Sequence, residues 1–525
     1  MPEHEHGTAT ISVAAILEES ARRHGDRVAL VCGEDEVTYA DLWRETRSYA
    51  GALRDRGISR GDRVAVLIPN VPDFVRAYYA VLALGAVVVP VHALLKAEEI
   101  AYVLRDSGAR LLVVAAPLLA EGRPGAEGAG VPLVSVLEPE SSPHDRLEAE
   151  AAAAAPIDSY VRTHPFEIAT LLYTSGTTGT PKGAQGTHFA LVEQVNVLLL
   201  STFDVRIGDT VMGTLPLFHT FGQTCVLNVG IRAGATIVLV PRFDADEALR
   251  TLSERDVDVF VGVPTMYIAL LEAHKRAPLP TSLRYAISGG AAIPVAVIER
   301  FREVFGADIH EGYGLTETSP VATFNPVGRP PRPGTIGLPI WGVDVEIARA
   351  EVDDRIELVP NGEQGEIVIR GHLLFTGYHD RADATAEAVV DGWFRSGDLG
   401  VKDDDGYLRV VDRKKDMIVR NGYNVYPREI EEVLARHPDV VSSAVYGVPH
   451  EVSGEEIAAA VVVDAHALVT EHELIEFVRG HVAAYKYPRI LAIVDALPQG
   501  PTGKVLKREL TARHASRMAP AATRP

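Results

Sequence analysis

Tyr173-Thr174-Ser175-Gly176-Thr177-Thr178-Gly179-Thr180-Pro181-Lys182-Gly183 follows an apolar run at residues 168–172. An apolar run ending in glycines and hydroxyls reads as a strand that leaves into a loop. Gly176, Gly179 and Gly183 free the backbone for close approach to a ligand. The threonine and serine hydroxyls add hydrogen-bonding groups, and successive N–H groups can form an anion-binding nest. Lys182 adds a positive charge. Together these features suit a polyphosphate, although a polar surface loop has a similar composition. The loop is not a Walker A loop, because Lys182 follows Pro181 and precedes Gly183, which breaks the GxxxxGK[ST] pattern. Residues 498–505 fail the same test, and Gly312-Tyr313-Gly314 lacks the third glycine of a dinucleotide fingerprint.

Outward from this loop, strand-like apolar runs alternate with helical stretches, as at residues 63–68, 111–115, 236–240 and 257–263. Such alternation predicts an α/β protein with mostly parallel sheets. Residues 77–95 are almost continuously apolar and of nearly membrane-spanning length. Gly85, Pro90 and His92 interrupt them, so they read as a buried helix followed by a buried strand at 87–89. Residues 121–156 turn to Gly, Pro, Ala and Glu and read as a surface excursion, with a helix end at 151–155. Asp403-Asp404-Asp405-Gly406 signals a tight turn between two short strands. From Asp412 onward the chain reads as a compact second unit of about 110 residues, an ordinary small-domain size. It includes a helix at 427–436 with proline at its first position and acids in its first turn. No internal repeat is visible.

The chain has 525 residues, 47% of them hydrophobic and 23% charged, enough for two domains with large cores. Its net charge of −20 argues against a nucleic-acid partner, which would demand a basic face. The two cysteines, Cys32 and Cys225, form no CxxC pair and give a thiolate zinc site no support. They read as reduced, packed thiols. Residues 1–7 carry glutamates and histidines rather than a basic region and apolar core, so no signal peptide is read there. A cytoplasmic protein without a membrane span is expected, and a homodimer is left open.

Further motifs follow the loop in a fixed order. They are Pro216-Leu217-Phe218-His219, Gly312-Tyr313-Gly314-Leu315-Thr316-Glu317, Ser396-Gly397-Asp398-Leu399-Gly400 and Asp412-Arg413-Lys414-Lys415-Asp416. Asn421-Gly422-Tyr423-Asn424-Val425-Tyr426-Pro427 and Pro501-Thr502-Gly503-Lys504 complete the series. In these motifs, over nearly its whole length, the chain resembles the adenylate-forming superfamily. Its acyl-CoA synthetase branch, the fatty-acyl and 4-coumarate type ligases, is most similar. The resemblance implies a large α/β domain of packed sheets with a distorted β-barrel, and a small mobile α+β domain. The expected division is 1–412 and 413–525.

The resemblance also implies an ATP-dependent, AMP-forming ligase. A carboxylate attacks the α-phosphorus of ATP and expels pyrophosphate, then the coenzyme A thiol takes the acyl group and expels AMP. The carboxylate is already ionised, so the first step needs no base. It needs two anions held together and charge stabilised on the phosphoryl oxygens. Lys504 is the expected contact to the carboxylate and α-phosphate, although a lysine in such a turn is ordinarily a solvated surface residue. Glu317 is the expected Mg2+ carboxylate, because a hard cation takes an anionic oxygen beside the phosphates. A helix-start acid or structural ion pair is its bland alternative. Thr316 is expected on the α-phosphate and Tyr313 against the adenine. Thr174, Ser175, Gly176, Thr177, Thr178, Gly179 and Lys182 would cradle the phosphates. The backbone near Gly290, Ala291 and Glu311, with Gly312 and Gly314, would complete the nucleotide pocket. Asp398 is the expected ribose partner, supported by Arg413. A plain salt bridge between those two is the alternative.

His219 is expected at the acyl entrance, where a base role toward the thiol is chemically open, or as a hydrogen-bonded core histidine. By position, His219, Phe221, Gly222, Val263, Thr265, Gly290 and Gly312 would line the acyl pocket, with Gly222 sparing bulk beside Phe221. No lysine or arginine in that set would pair with a second carboxylate. This favours a monocarboxylic acid, an aliphatic chain ahead of an aryl acid. Lys415 or its neighbour is the expected hinge, after whose rotation Gly422, Tyr423 and Asn424 would face the coenzyme A tunnel. Rival readings are an enzyme loading a carrier-protein thiol, a luciferase-type oxygenase and a non-catalytic nucleotide-binding protein. The terminal residues are not a peroxisomal SKL address.

Overall fold

The computed structural model describes residues 9–142, 145–174, 180–450, 452–500 and 503–518. Among these, the large N-terminal part holds three sheets. A six-stranded sheet runs in the order Leu133–Val136, Leu111–Ala115, Arg63–Leu67, Val87–Pro90, Ile168–Thr174, Lys182–Thr187. Its pairings are parallel except the last, a hairpin in which Thr174 faces Lys182. The candidate phosphate loop is therefore the connection of that hairpin.

A nine-stranded sheet has at its centre the parallel strands Asp308–Gly314, Tyr285–Ser288, Val259–Gly262, Thr210–Gly213 and Thr236–Leu239. The helix Pro72–Ala83 explains the long apolar run beside it. Every residue from Phe74 to Ala83 except Arg76 is buried. A helix that is apolar all round belongs inside a protein, and the strand Val87–Pro90 then continues the six-stranded sheet. Among the described residues no helix is long and apolar enough to cross a membrane. Both cysteines are free.

The third sheet is antiparallel: Val343–Ala348, Gln364–Gly371, Trp393–Lys402 and Val389–Val390, with Leu408–Arg413 on Trp393–Lys402. It takes the place expected of the distorted barrel, and its strand order is open among the described residues. The 403–406 turn joins Trp393–Lys402 to Leu408–Arg413, with Gly406 at φ +86°. The smaller C-terminal part has its own sheet, built on Val440–His450 and Gly454–Val463, and its own core around Ile418, Ile430, Val445 and Leu474. The helix expected at 427–436 spans Pro427–Leu434.

One expectation is corrected. The stretch read as a surface excursion contains the helix Leu119–Ala129 and the edge strand Leu133–Val136, whose Val134 and Val136 are fully buried. Its glycines serve close packing. A Cβ at Gly122 would lie 2.8 Å from Val114 Cγ2, and one at Gly125 would lie 2.7 Å from Ile100 Cγ2.

Candidate active site

Many of the candidate residues gather at the carboxyl ends of the parallel strands, where open α/β sheets place their ligands. Strand Val259–Gly262 delivers Val263 and Thr265, Tyr285–Ser288 delivers Gly290 and Ala291, and Asp308–Gly314 carries Glu311, Gly312 and Tyr313. A cleft of about 470 Å³ is lined by Thr265, Gly290, Ala291, Glu311, Gly312, Tyr313 and Gly314 on one side. Asp398, Arg413 and Lys504 close it on the other.

Tyr313 donates its hydroxyl to Asp398 Oδ2 at 2.6 Å, and Arg413 Nε lies 3.5 Å from Asp398 Oδ1. Asp398 and Arg413 are direct partners across the antiparallel ladder. Lys504 sits on a hairpin closed by Gly500 N–H to the Lys504 carbonyl, 2.7 Å. Burial, with Arg413 nearby, lowers the Lys504 ammonium to about 8, while Asp398 and Asp416 oppose the shift. It stays largely protonated at neutral pH. Lys415 is lowered by the same causes, burial first and then Arg413.

Glycines shape this wall. Gly314 admits no side chain, since its Cβ would lie 1.7 Å from the Pro320 carbonyl oxygen. Glu311 gives its own carbonyl to the Asn325 backbone and side-chain amides, at 3.0 and 3.2 Å. Its carboxyl group is buried as well. Burial pushes that group up to about 7.

On the phosphate side, Glu317 is buried and accepts a 2.6 Å hydrogen bond from the Tyr378 hydroxyl. Burial raises its carboxyl, and Lys182 opposes this. Lys182 Nζ lies 5.3 Å from the Tyr378 ring centre, within cation–π range. Tyr378 was missed in the sequence because a single tyrosine, far from Glu317 in the chain, carries no pattern. The loop's ends are also tied down by residues the sequence did not flag. Tyr102 donates to the Pro181 carbonyl at 2.8 Å, Tyr173 to Asp106 at 2.8 Å, and Arg381 to Asp106 at 2.6 Å. Thr174 is described at the loop's start, with Oγ1 3.5 Å from the Lys182 carbonyl. Ser175, Gly176, Thr177, Thr178 and Gly179 lie outside the described residues. Thr316 opens the short 3-10 turn Thr316–Thr318.

His219 Nδ1 accepts from the Phe221 backbone N–H at 3.2 Å, which puts the ring hydrogen on Nε2. Burial, then His92 and Lys504, lower this histidine to about 4, so it is neutral and poorly suited to act as a base. Phe221 packs its ring over Gly289. Gly222 answers to the backbone. Its Cβ would meet the Pro216 carbonyl oxygen at 2.4 Å, so sparing bulk beside Phe221 is not what demands glycine. His219, Phe221, Gly222 and Val263 are not part of the cleft wall, whereas Thr265, Gly290 and Gly312 are. Gly422, Tyr423 and Asn424 are outside it too. They lie at a hairpin of the C-terminal sheet, where Tyr423 is exposed and stacks on Tyr485.

Two family models match, an AMP-binding enzyme model over residues 17–379 and an AMP-binding enzyme C-terminal domain model over residues 429–504. The long-chain-fatty-acid–CoA ligase of Bacillus subtilis is 33% identical, over 97% of this chain and 95% of its own. The crystal structure of ATP-bound MatB from Rhodopseudomonas palustris superposes with a TM-score of 0.88 at 30% identity, covering 96% of this chain and 99% of that one. The apo form of MatB gives 0.78. An anthranilate CoA ligase in complex with anthranoyl-AMP gives 0.90 at 27% identity, covering 97% and 98%. The chain therefore belongs to the AMP-binding enzymes, in the acyl-CoA synthetase branch of the adenylate-forming superfamily, the AMP-forming acid–thiol ligases.

Proposed function

We propose that the protein joins a monocarboxylic acid, a medium- or long-chain fatty acid, to coenzyme A through an acyl-adenylate. The observation that carries this reading is Lys504, half-buried in one cleft with Asp398, Arg413 and Tyr313. A lysine in such a turn ordinarily stands in solvent, whereas this one enters the cleft that holds the candidate nucleotide residues.

In the first half-reaction Lys504 holds the substrate carboxylate and the α-phosphate together, and its charge offsets what builds up on the phosphoryl oxygens. Thr316 donates to the α-phosphate. Asp398 accepts from the ribose hydroxyls, and the Tyr313 ring covers the adenine. Lys182 and the loop it ends hold the leaving pyrophosphate.

Glu317 fits Mg2+. It is one buried carboxylate aligned by Tyr378, and no group of three or more protein ligands surrounds it among the described residues. Mg2+ characteristically takes one or two carboxylates plus substrate phosphates, whereas a protein-caged metal needs more. When bound, the ion neutralises phosphate charge.

For the second half-reaction the small domain turns about a hinge at Lys415, with the boundary near Asp412. Lys504 leaves and the loop of Gly422, Tyr423 and Asn424 comes to the thiol's path. The neutral His219, hydrogen-bonded at Nδ1, serves as a wall and Nε2 donor of the acid side. The fatty-acid preference is supported by the Bacillus relative and by the set His219, Phe221, Gly222, Val263, Thr265, Gly290 and Gly312, which holds no lysine or arginine. An aryl acid is the second reading, favoured by the likeness to the anthranilate ligase.

The test is pyrophosphate and AMP release with ATP and Mg2+, over aliphatic, aryl and dicarboxylic acids, each with and without coenzyme A. Turnover needing a fatty acid and coenzyme A is expected. Turnover restricted to aryl acids would replace the substrate class. Adenylate formation indifferent to coenzyme A would point to a carrier-protein thiol.

A further inference from the structure

The strand carrying Asp398 is not regular at that point. Val368 faces Arg395 across the ladder, yet Glu366 faces Leu399, so the single residue Ile367 stands opposite three of the other strand. Ser396, Gly397 and Asp398 form the resulting bulge, with Gly397 at φ +74°. Bulges of this kind re-aim a side chain at a functional site, and the backbone groups they free need other partners.

Glu366 supplies them. Its Oε1 accepts the Gly397 N–H at 3.0 Å, and its Oε2 accepts from Arg395 Nη2 at 2.6 Å and Nε at 3.2 Å. Arg395 Nη1 donates to the Val352 carbonyl at 2.6 Å. The two side chains are 3% and 7% exposed. Ser396 Oγ completes the bulge by donating to the Ile367 carbonyl at 2.7 Å and accepting the Asp398 N–H at 3.1 Å. The Gly397 carbonyl in turn accepts the Lys414 N–H at 2.9 Å, which ties the bulge to the segment before Lys415.

We propose that Glu366, with Arg395, is a positioning residue for ribose selection: this buried pair fixes the bulge that presents Asp398 to the sugar hydroxyls. The inference rests on the reading of Asp398 as the ribose partner. A buried pair that served stability alone would make no distinction between nucleotides. A pair that sets the place of Asp398 must make one, because a site built to bond a hydroxyl rejects the analogue lacking it only while the acceptor is in place.

The experiment compares kcat/KM for ATP with that for 2′-deoxy-ATP and 3′-deoxy-ATP in acyl-adenylate formation. The enzymes are the intact protein, Glu366→Gln, Arg395→Lys and Asp398→Asn. Glu366→Gln keeps size and loses charge, while Arg395→Lys keeps charge and loses the fork geometry. Preference for ATP over the deoxynucleotides is expected to fall about ten-fold in Glu366→Gln, the scale of one charged hydrogen bond, and less in Arg395→Lys. Equal losses for ATP and both analogues would overturn the inference. If Glu366→Gln does not fold, unchanged preference in Arg395→Lys overturns it. An unchanged preference in Asp398→Asn would instead remove the ribose reading of Asp398, and the inference with it.

Discussion

Thr265 Oγ1 and the carbonyl of Gly503 lie 3.4 Å apart, so the residue just before Lys504 rests on the large domain. This contact, with the ion pair of Lys275 and Asp464 at 2.5 Å, holds the small domain where Lys504 enters the cleft.

Gly503→Ala tests the seat of the lysine. Gly503 has φ +76°, and a Cβ there would lie 2.8 Å from both Thr265 Oγ1 and Val263 Cγ2. The left-handed backbone alone costs an ordinary residue about 1–2 kcal/mol, and the clash adds to it. Adenylation is expected to fall at least about ten-fold. Thioester formation from supplied acyl-adenylate, which does not need this seat, is expected to change little. Single-turnover assays of each half-reaction decide it, and equal losses in both count against the assignment.

Lys504 sets a pH limit. Its ammonium is lowered to about 8 in the unliganded cleft, and only the charged form can hold two anions together. The kcat/KM for ATP should therefore be flat below about 8 and fall about ten-fold per pH unit above it. Lys504→Arg, which does not titrate in this range, should be slower but should lose the alkaline limb. A limb that survives in Lys504→Arg belongs to another group.

Tyr378→Phe removes one hydroxyl, the donor to Glu317 Oε1. Partners that orient a metal ligand are typically worth 10–100-fold in metal affinity. A Mg2+ titration of adenylation at saturating acid should show half-saturation shifted upward by about ten-fold, with little loss of thermal stability. An unshifted titration would separate Glu317 from the metal.

Lys415→Pro should spare adenylation and slow thioester formation. Among the described hydrogen bonds none uses the Lys415 N–H, so proline costs this conformation no bond. It does fix φ at the pivot, and rotation there is what the second half-reaction needs. Undiminished thioester formation in stopped-flow measurements would move the hinge elsewhere.

Residues 168–183 were legible because their signals are local. An apolar run followed by glycines and hydroxyls describes a strand leaving into a loop without reference to anything distant, whereas the antiparallel return at Lys182–Thr187 was not read. The helix–strand reading of residues 77–95 held for the same reason: Gly85 and Pro90 punctuate it within the run. Residues 121–156 misled, because a glycine needed for close helix packing looks the same in sequence as a glycine in a loop. Only the positions of Val114 and Ile100 reveal the need.

The sequence by itself determined the chemistry available to this protein: an ordered set of motifs that supplies Lys504, Glu317, Asp398 and the phosphate loop to one family of ligases. Tertiary structure decided which groups answer to one another. Tyr378 reaches Glu317, Tyr102 and Arg381 anchor the loop's ends, and Glu366 fills the bulge beneath Asp398. These partners come from separate helices, strands and loops, and their spacing along the chain obeys no period. They meet because buried charges and freed backbone groups must find partners wherever the fold brings them together.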